Sequence, residues 1–491
     1  MRPVCWSSAM GQHTLSWMTA LPLLVLLLAG AATSALAQQY SQAEPVELAV
    51  SAEALDSADG DTIRRGAYLA RAADCTACHT ASDGPPYAGG FAFETPFGTL
   101  YSSNITPDAE HGIGDWTQAE FTTALRQGVG KDGKHLYPAM PYTAYTHLSD
   151  EDVEALWTYF QHVEPQAVPN KRNELMWPFS WRAAMWGWNL LFLDDGRFEP
   201  DPQQSDRWNR GAYLVTGPGH CGSCHTPRNL AMARKTDQAF MGHSIQGWHA
   251  PRLPAGEGTS DAPGLADWPE NEIVQFLQTG AASRSAATGT MKEAIHDSLQ
   301  YLTEDDLRAI ATYLKSLRYE DGETVIATAP TGDNSGLSPS VASRPAQSGT
   351  AQAIRIGKMP PPAVPIGDGH GGVTAGERLF MDNCQACHLQ GQGMPGAFPA
   401  LVNNSATAQD DPSNLIKVIL QGAQGVQTQQ DPTVLTMPDF AWRLNDKQVA
   451  TLASFVRERF GERAPERAQV SPEQVAELRE QVHPPEPDAG H

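Results

Sequence analysis

Six of the cysteines fall into three pentapeptides: "CTACH" with Cys75, Cys78 and His79, "CGSCH" with Cys221, Cys224 and His225, and "CQACH" with Cys384, Cys387 and His388. Each sets two thiols at C-x-x-C spacing with a histidine directly after. Four chemistries use such groups. A structural zinc needs four well-spaced ligands, and a histidine adjacent to the second cysteine cannot easily turn to the same ion. A thioredoxin-like dithiol sits in a βαβ context, whereas the flanking sequence here is helical in pattern. A disulfide within C-x-x-C closes a small ring of little loop-closure value. C-x-x-C-H is the attachment signature of c-type haem: both thiols add to the porphyrin vinyl groups, and the histidine is placed to bind iron. Three matches inside one repeated frame predict three covalently bound haem c groups, with His79, His225 and His388 as iron ligands.

A haem that only transfers electrons takes a second axial ligand, and a methionine opposite the histidine raises its potential. One methionine recurs just before the last helix of each repeat: Met140 in "YPAMPY", Met291 in "TGTMKEAIHD" and Met437 in "VLTMPDF". They lie 61, 66 and 49 residues after their histidines. Methionine is also a common core filler, and in the second repeat His296 competes for the position. Met232, Met241, Met359 and Met394 fall outside the repeated place and read as packing or surface. The iron-binding histidines are expected to donate their other ring nitrogen to a backbone carbonyl, with Pro227, Pro399 and the stretch "YSSNITPD" (101–108) as candidates. His111, His135, His147 and His249 read as surface or loop residues. No dinucleotide fingerprint or hydrolytic triad is present, so no catalytic residue is assigned.

The elements that must hold these groups repeat three times. A lead helix precedes each motif: "RRGAYLARAADC", "NRGAYLVTGPGHC" and "TAGERLFMDNC", with Gly66, Gly211 and Gly376 at one place. An amphipathic stretch ending in glycine follows: "FTTALRQG", "IVQFLQTG" and "LIKVILQG". Each unit closes with a helix whose N-caps are Ser149, Thr303 and Asn445, with Asp152, Asp306 and Gln448 three residues on. Tyr159, Tyr313 and Phe455 are equivalent, and each aromatic is expected to pack on the lead-helix glycine of its own unit.

The chain of 491 residues predicts about three or four domains. Its start, "ALPLLVLLLAGAATSALA", is a short apolar run closed by Ala35-Leu36-Ala37, read as a secretory signal cut after Ala37. A retained anchor is the alternative, but the run is short for a bilayer; Cys5 leaves with it. Residues 320–372 carry few large apolar side chains and read as an extended linker. "MWPFSWRAAMWGWNLLFL" (176–193) is rich in tryptophan, suited equally to burial between units and to an interface. The boundaries expected are 1–37 signal, 60–170 first unit, 171–205 Trp-rich connector, 206–320 second unit, 321–372 linker, 373–462 third unit and 463–491 polar tail. Net charge is −22, with 56 acids against 34 bases, which argues against nucleic acid as a partner.

The order of the three units, with "NITPD", "YPAMPY", "YLVTGPGHCGSCHTPRNLAM" and "WNLLF", resembles the triheme cytochrome c subunits of membrane-bound dehydrogenases in acetic acid bacteria. The likeness runs from about residue 62 to 461. It implies a mainly α fold of three tandem class I cytochrome c-like domains with a loop-rich linker. It further implies a dehydrogenase large subunit as partner, of pyrroloquinoline-quinone (alcohol), flavin (gluconate, sorbitol, fructose) or molybdenum (aldehyde) type. Electrons would pass from that partner through the haems to ubiquinone, at the periplasmic membrane surface. Location is expected to be periplasmic and peripheral on the cytoplasmic membrane. A free periplasmic carrier feeding an oxidase and a haem peroxidase are the alternatives weighed.

Overall fold

A computed structural model describes residues 49–256, 264–265, 268–326, 373–394, 397–402 and 404–482. The expected signal (1–37) and most of the linker lie outside the described residues. Helix dominates, and the buried apolar side chains gather in three large clusters and a small fourth one of Ala287, Ile295 and Val426.

In the first unit, α1 (Gly60–Ala72) leads into α2 (Cys75–His79), followed by α3 (Gln118–Gln127) and α4 (Asp150–Phe160). Ile63, Ala67, Leu69 and Ala70 of α1 bury against Val153, Leu156, Tyr159 and Phe160 of α4. The helices approach so closely that a Cβ at Gly66 would lie 2.0 Å from the Ala155 carbonyl oxygen and 2.6 Å from Tyr159 Cβ. The same approach recurs at Gly211 with Ala309 and Tyr313, and at Gly376 with Phe455, so the expected aromatic–glycine packing is present in all three units. The unit starts ten residues before its expected boundary at 60, because Val50 pairs with Val163 and Ala52–Leu55 packs on α1. A small antiparallel sheet, β1 (Ala92–Thr95), β2 (Gly98–Tyr101) and β3 (Glu174–Leu175), ties the start of the connector to this unit.

The connector carries α5 (Ala184–Phe192). The second unit then has α6 (Asp206–Thr216), α7 (Gly222–His225), the hairpin β4 (His243–Ile245) and β5 (Trp248–Ala250), α8 (Glu270–Thr279), α9 (Thr290–Asp297) and α10 (Glu304–Ser316). A further hairpin, Leu317–Glu320 with Glu323–Ile326, extends it past the expected boundary at 320. The third unit comprises α11 (Ala375–Asn383), α12 (Gln385–His388), α13 (Ser413–Gln421), α14 (Asp446–Phe460) and α15 (Pro472–Gln481). The expected polar tail from 463 is a correction: Val470, Val475 and Val482 are buried in the core of this unit. Arg479 fixes α15 by binding Asp446 at 2.7 Å and the carbonyls of Ala441 and Leu444. Only three valines and a leucine carry this apolar face, too sparse among charges to stand out in sequence. Residues 483–491 lie outside the described residues.

Units one and two are joined by an exchange. Asp152 at the start of α4 accepts from Arg65 of its own unit at 2.8 Å and from the Tyr213 hydroxyl of the other. Asp306 at the start of α10 accepts from Arg210 of its own unit at 2.8 Å and from the Tyr68 hydroxyl at 2.5 Å. Each tyrosine oxygen also accepts an N–H at the partner's N-cap, Ser149 and Thr303. The contacts are those of a two-fold relation between the halves. Units two and three meet through β5 and α13: the His249 N–H donates to Asn414 Oδ1 at 2.9 Å, and Asn414 Nδ2 donates to the His249 carbonyl at 2.7 Å. Lys417 Nζ donates to the Gly247 carbonyl.

Candidate haem sites

In each motif a turn of helix sets the two thiols three residues apart, on one side of the turn. The final N-caps that orient these units form as read: Ser149, Thr303 and Asn445 accept from Asp152, Asp306 and Gln448 N–H at 3.1, 3.2 and 3.0 Å. α2 is held to α4 by a chain of hydroxyls, Thr76 to Tyr87 and Tyr159 to Tyr87, both at 3.2 Å.

The three histidines share one arrangement. His79 Nδ1 lies 2.7 Å from the Ser103 carbonyl, His225 Nδ1 2.8 Å from that of Pro251, and His388 Nδ1 3.1 Å from that of Pro399. A donor Nδ1–H leaves Nε2 as the nitrogen open to a metal. Two expected acceptors are therefore present: Ser103 lies within 101–108, and Pro399 is the residue named. Pro227 is not the acceptor for His225; its carbonyl accepts from Lys235 N–H at 2.8 Å and closes the 228–234 loop instead.

Sequence reading missed the partner of this bond. The backbone carbonyl of each histidine accepts an N–H from a glycine with left-handed φ: Gly89 (2.8 Å, φ 72°), Gly242 (2.7 Å, φ 87°) and Gly393 (3.0 Å, φ 63°). Each glycine lies against the segment that carries the acceptor; a Cβ would meet Ser103 C at 2.4 Å, Pro251 C at 3.4 Å or Pro399 C at 2.6 Å. Only glycine adopts this φ at low cost. The three glycines follow their histidines by 10, 17 and 5 residues, so no fixed spacing betrays them.

Burial pushes the Cys75, Cys221 and Cys384 thiols up to about 12 and Cys224 up to about 11. A redox-active C-x-x-C lowers its nucleophilic thiol instead, so the dithiol chemistry fits poorly. Among the described residues no group of three or more His, Cys, Asp or Glu side chains gathers as a metal cluster, which disfavours zinc. The paired thiols, oriented imidazoles and apolar surroundings fit a covalently attached haem.

Each expected second ligand borders the core of its own unit: Met140 the first, Met291 the second and Met437 the third. Met437 lies in a short strand paired with Ala423, and its carbonyl abuts Gly422. Met291 opens α9, which packs against α2 of unit one. The competing His296 is buried on the same helix with Nδ1 at 2.8 Å from Asp297 Oδ1. The first two sites adjoin: Tyr145 donates to the Ala73 carbonyl at 2.7 Å, beside Cys75, and its ring lies 5.8 Å from that of His220, beside Cys221. His249 is no mere loop residue, since its backbone is the joint to unit three.

The Cytochrome c family profile matches residues 63–164 and 373–459. Over 444 residues the chain is 39% identical to the gluconate 2-dehydrogenase cytochrome c subunit of Pantoea cypripedii, covering 88% of this chain and 92% of that protein. It is 38% identical over 444 residues to the cytochrome c subunit of the quinone alcohol dehydrogenase of Gluconobacter oxydans, covering 88% and 85%. The fructose dehydrogenase cytochrome subunit of Gluconobacter japonicus is 38% identical over 437 residues, covering 86% and 84%.

Proposed function

We propose a function on one premise, that this chain belongs to the cytochrome c family, among the cytochrome c subunits of dehydrogenases. Membership brings covalently bound haem c, electron transfer and a dehydrogenase partner. Beyond that, we infer three class I cytochrome c-like domains and three haems, attached at Cys75/Cys78, Cys221/Cys224 and Cys384/Cys387. The iron pairs are His79 with Met140, His225 with Met291 and His388 with Met437. The chain passes electrons from a dehydrogenase large subunit to ubiquinone, on the periplasmic side of the membrane. A quinoprotein alcohol dehydrogenase is the first choice of partner; flavin or molybdenum enzymes are the second.

The observation that carries this reading is the threefold recurrence of one histidine arrangement, including the middle unit that the family profile does not span. Haem c, once bound, supplies a one-electron couple. The residues' work is to fix it. The Ser103, Pro251 and Pro399 carbonyls set the tautomer and plane of each imidazole. The paired thiols would anchor the ring, and Cys75, Cys221 and Cys384 set that anchor against the apolar core of each unit.

A pyridine haemochrome assay on the full-length protein is expected to give three haems per chain; two would remove the middle site. Met291→Ala is expected to abolish one third of the Met-ligated absorbance near the red end of the spectrum, and His296→Ala to leave it. The reverse pattern would make His296 the ligand. Stoichiometric co-purification with a large dehydrogenase subunit supports the subunit role, and a monodisperse soluble monomer in native membranes' extracts would favour a free carrier.

A further inference from the structure

Met291 stands apart from the other two expected ligands. Met140 and Met437 each precede a proline, whereas Met291 precedes Lys292 and opens α9, a helix of eight residues. The N-cap of that helix is Gly289, which offers no side-chain oxygen to the first N–H groups. So short a helix is marginal by itself, and its place depends on what packs against it.

Unit three reaches this helix at three points. At the start, Gly289 (φ 55°) lies against the Trp248 ring so closely that no Cβ would fit. Lys417 of α13 lies over the same ring at 5.5 Å and donates to the Gly247 carbonyl. In the middle, Val426 joins Ile295 of α9 and Ala287 in a buried cluster, against which Met291 itself packs. Val426 arrives there over Gly280, where a Cβ would come within 2.8 Å of the Val426 Cβ. Past the end, buried Gln300 donates to the His296 carbonyl, while its Oε1 accepts the Gln429 N–H at 2.9 Å.

Val426 and Gln429 belong to one hairpin of unit three. Its strands, Ala423–Gln424 and Thr436–Met437, pair Ala423 with Met437. The Gly425 N–H donates to the Leu435 carbonyl at 3.1 Å, and Thr428 and Asp431 close a turn through two hydrogen bonds of 3.0 Å. The expected ligand of the third iron therefore stands at the base of a hairpin whose outer part bears on the helix that carries the expected ligand of the second.

We propose that unit three secures the axial ligand of the second haem: Lys417, Val426 and Gln429 are positioning residues that hold Met291 at its iron, acting through Trp248, Ile295 and Gln300. The proposal rests on the reading of Met291 as that ligand. Imidazole binds the iron only when the methionine has left, so its apparent affinity measures how firmly the chain holds the sulfur. The full-length holoprotein is titrated with imidazole while the methionine–iron absorbance is followed, and the midpoint potential of each haem is measured by spectroelectrochemistry. Met291→Ala marks which haem is the second. Val426→Ala, Lys417→Met and Gln300→Leu should each raise imidazole affinity about tenfold at that haem and lower its potential alone, with three haems retained per chain. Val475→Ala, which opens a cavity in the core of unit three with Val426 intact, should do neither. Wild-type imidazole affinity in the three variants, a change that falls on another haem, or an equal change in Val475→Ala overturns the proposal. Met291→Ala that leaves the methionine–iron absorbance at its wild-type value sinks the ligand reading itself and the proposal with it, a result the other variants cannot mimic.

Discussion

At the scale of residues, the chemistry rests on small groups that hold larger ones. The lock formed by Gly242 is the clearest case: its N–H holds the His225 carbonyl while its bare Cα lets the Pro251 segment close in. Gly242→Ala should lower stability by about 1–3 kcal/mol through left-handed strain. It should also perturb the spectrum of one haem site only, read by resonance Raman against Gly→Ala at exposed Gly322. His220 carries a pH dependence. Burial pushes its imidazole from 6.5 down to about 4. The unfolded chain therefore binds the proton first as pH falls, and stability is full above 6.5, falls between 6.5 and 4, and levels below 4. Urea melts at pH 7 and 4.5 should show a loss of up to about 3 kcal/mol in wild type that His220→Gln lacks. The motif histidines and cysteines were legible because covalent attachment demands a fixed spacing. The glycine locks were not, since each is brought to its histidine by loops of different length.

At the scale of elements, the final helices could be read because caps and apolar spacing are local properties. Gly66 and Tyr159 were paired correctly for the same reason, as a small residue and an aromatic repeat together in every unit. The tail helix α15 escaped because tertiary contacts, Arg479 above all, stabilise it rather than its own pattern. The exchange of tyrosines was also hidden: Asp152 and Asp306 read as cap residues, which they are, and nothing local showed a second donor arriving from another unit. Each buried carboxylate depends on that donor. Tyr68→Phe and Tyr213→Phe should each cost about 1–3 kcal/mol, with less than additive loss in the double variant because both act on one interface. Chemical denaturation of the four forms would measure this, and additive losses would show the two contacts to be independent.

At the scale of the whole molecule, unit two is the middle member, in contact with both others. Its joint to unit three includes a reciprocal pair of hydrogen bonds that rests on one side chain. Asn414→Ala removes both hydrogen bonds to His249, which lies two residues before the Pro251 carbonyl that orients His225. Hydrogen exchange at Trp248–Ala250 should quicken by about tenfold, with little change in α1 or α4. Unit three differs from the others at the places that make the exchange: Ala375 stands where Arg65 and Arg210 stand, Arg378 replaces the tyrosines, and Gln448 replaces the aspartates. Three homologous units emerging in tandem risk docking on the wrong sibling. Because only units one and two carry both halves of the handshake, a third unit in that seam would bring Gln448, an uncharged amide, to the place where its neighbour's tyrosine meets an aspartate, and could form the charged contact on one side only. The full two-way contact is therefore confined to one pair of units, by three positions of an otherwise repeated frame.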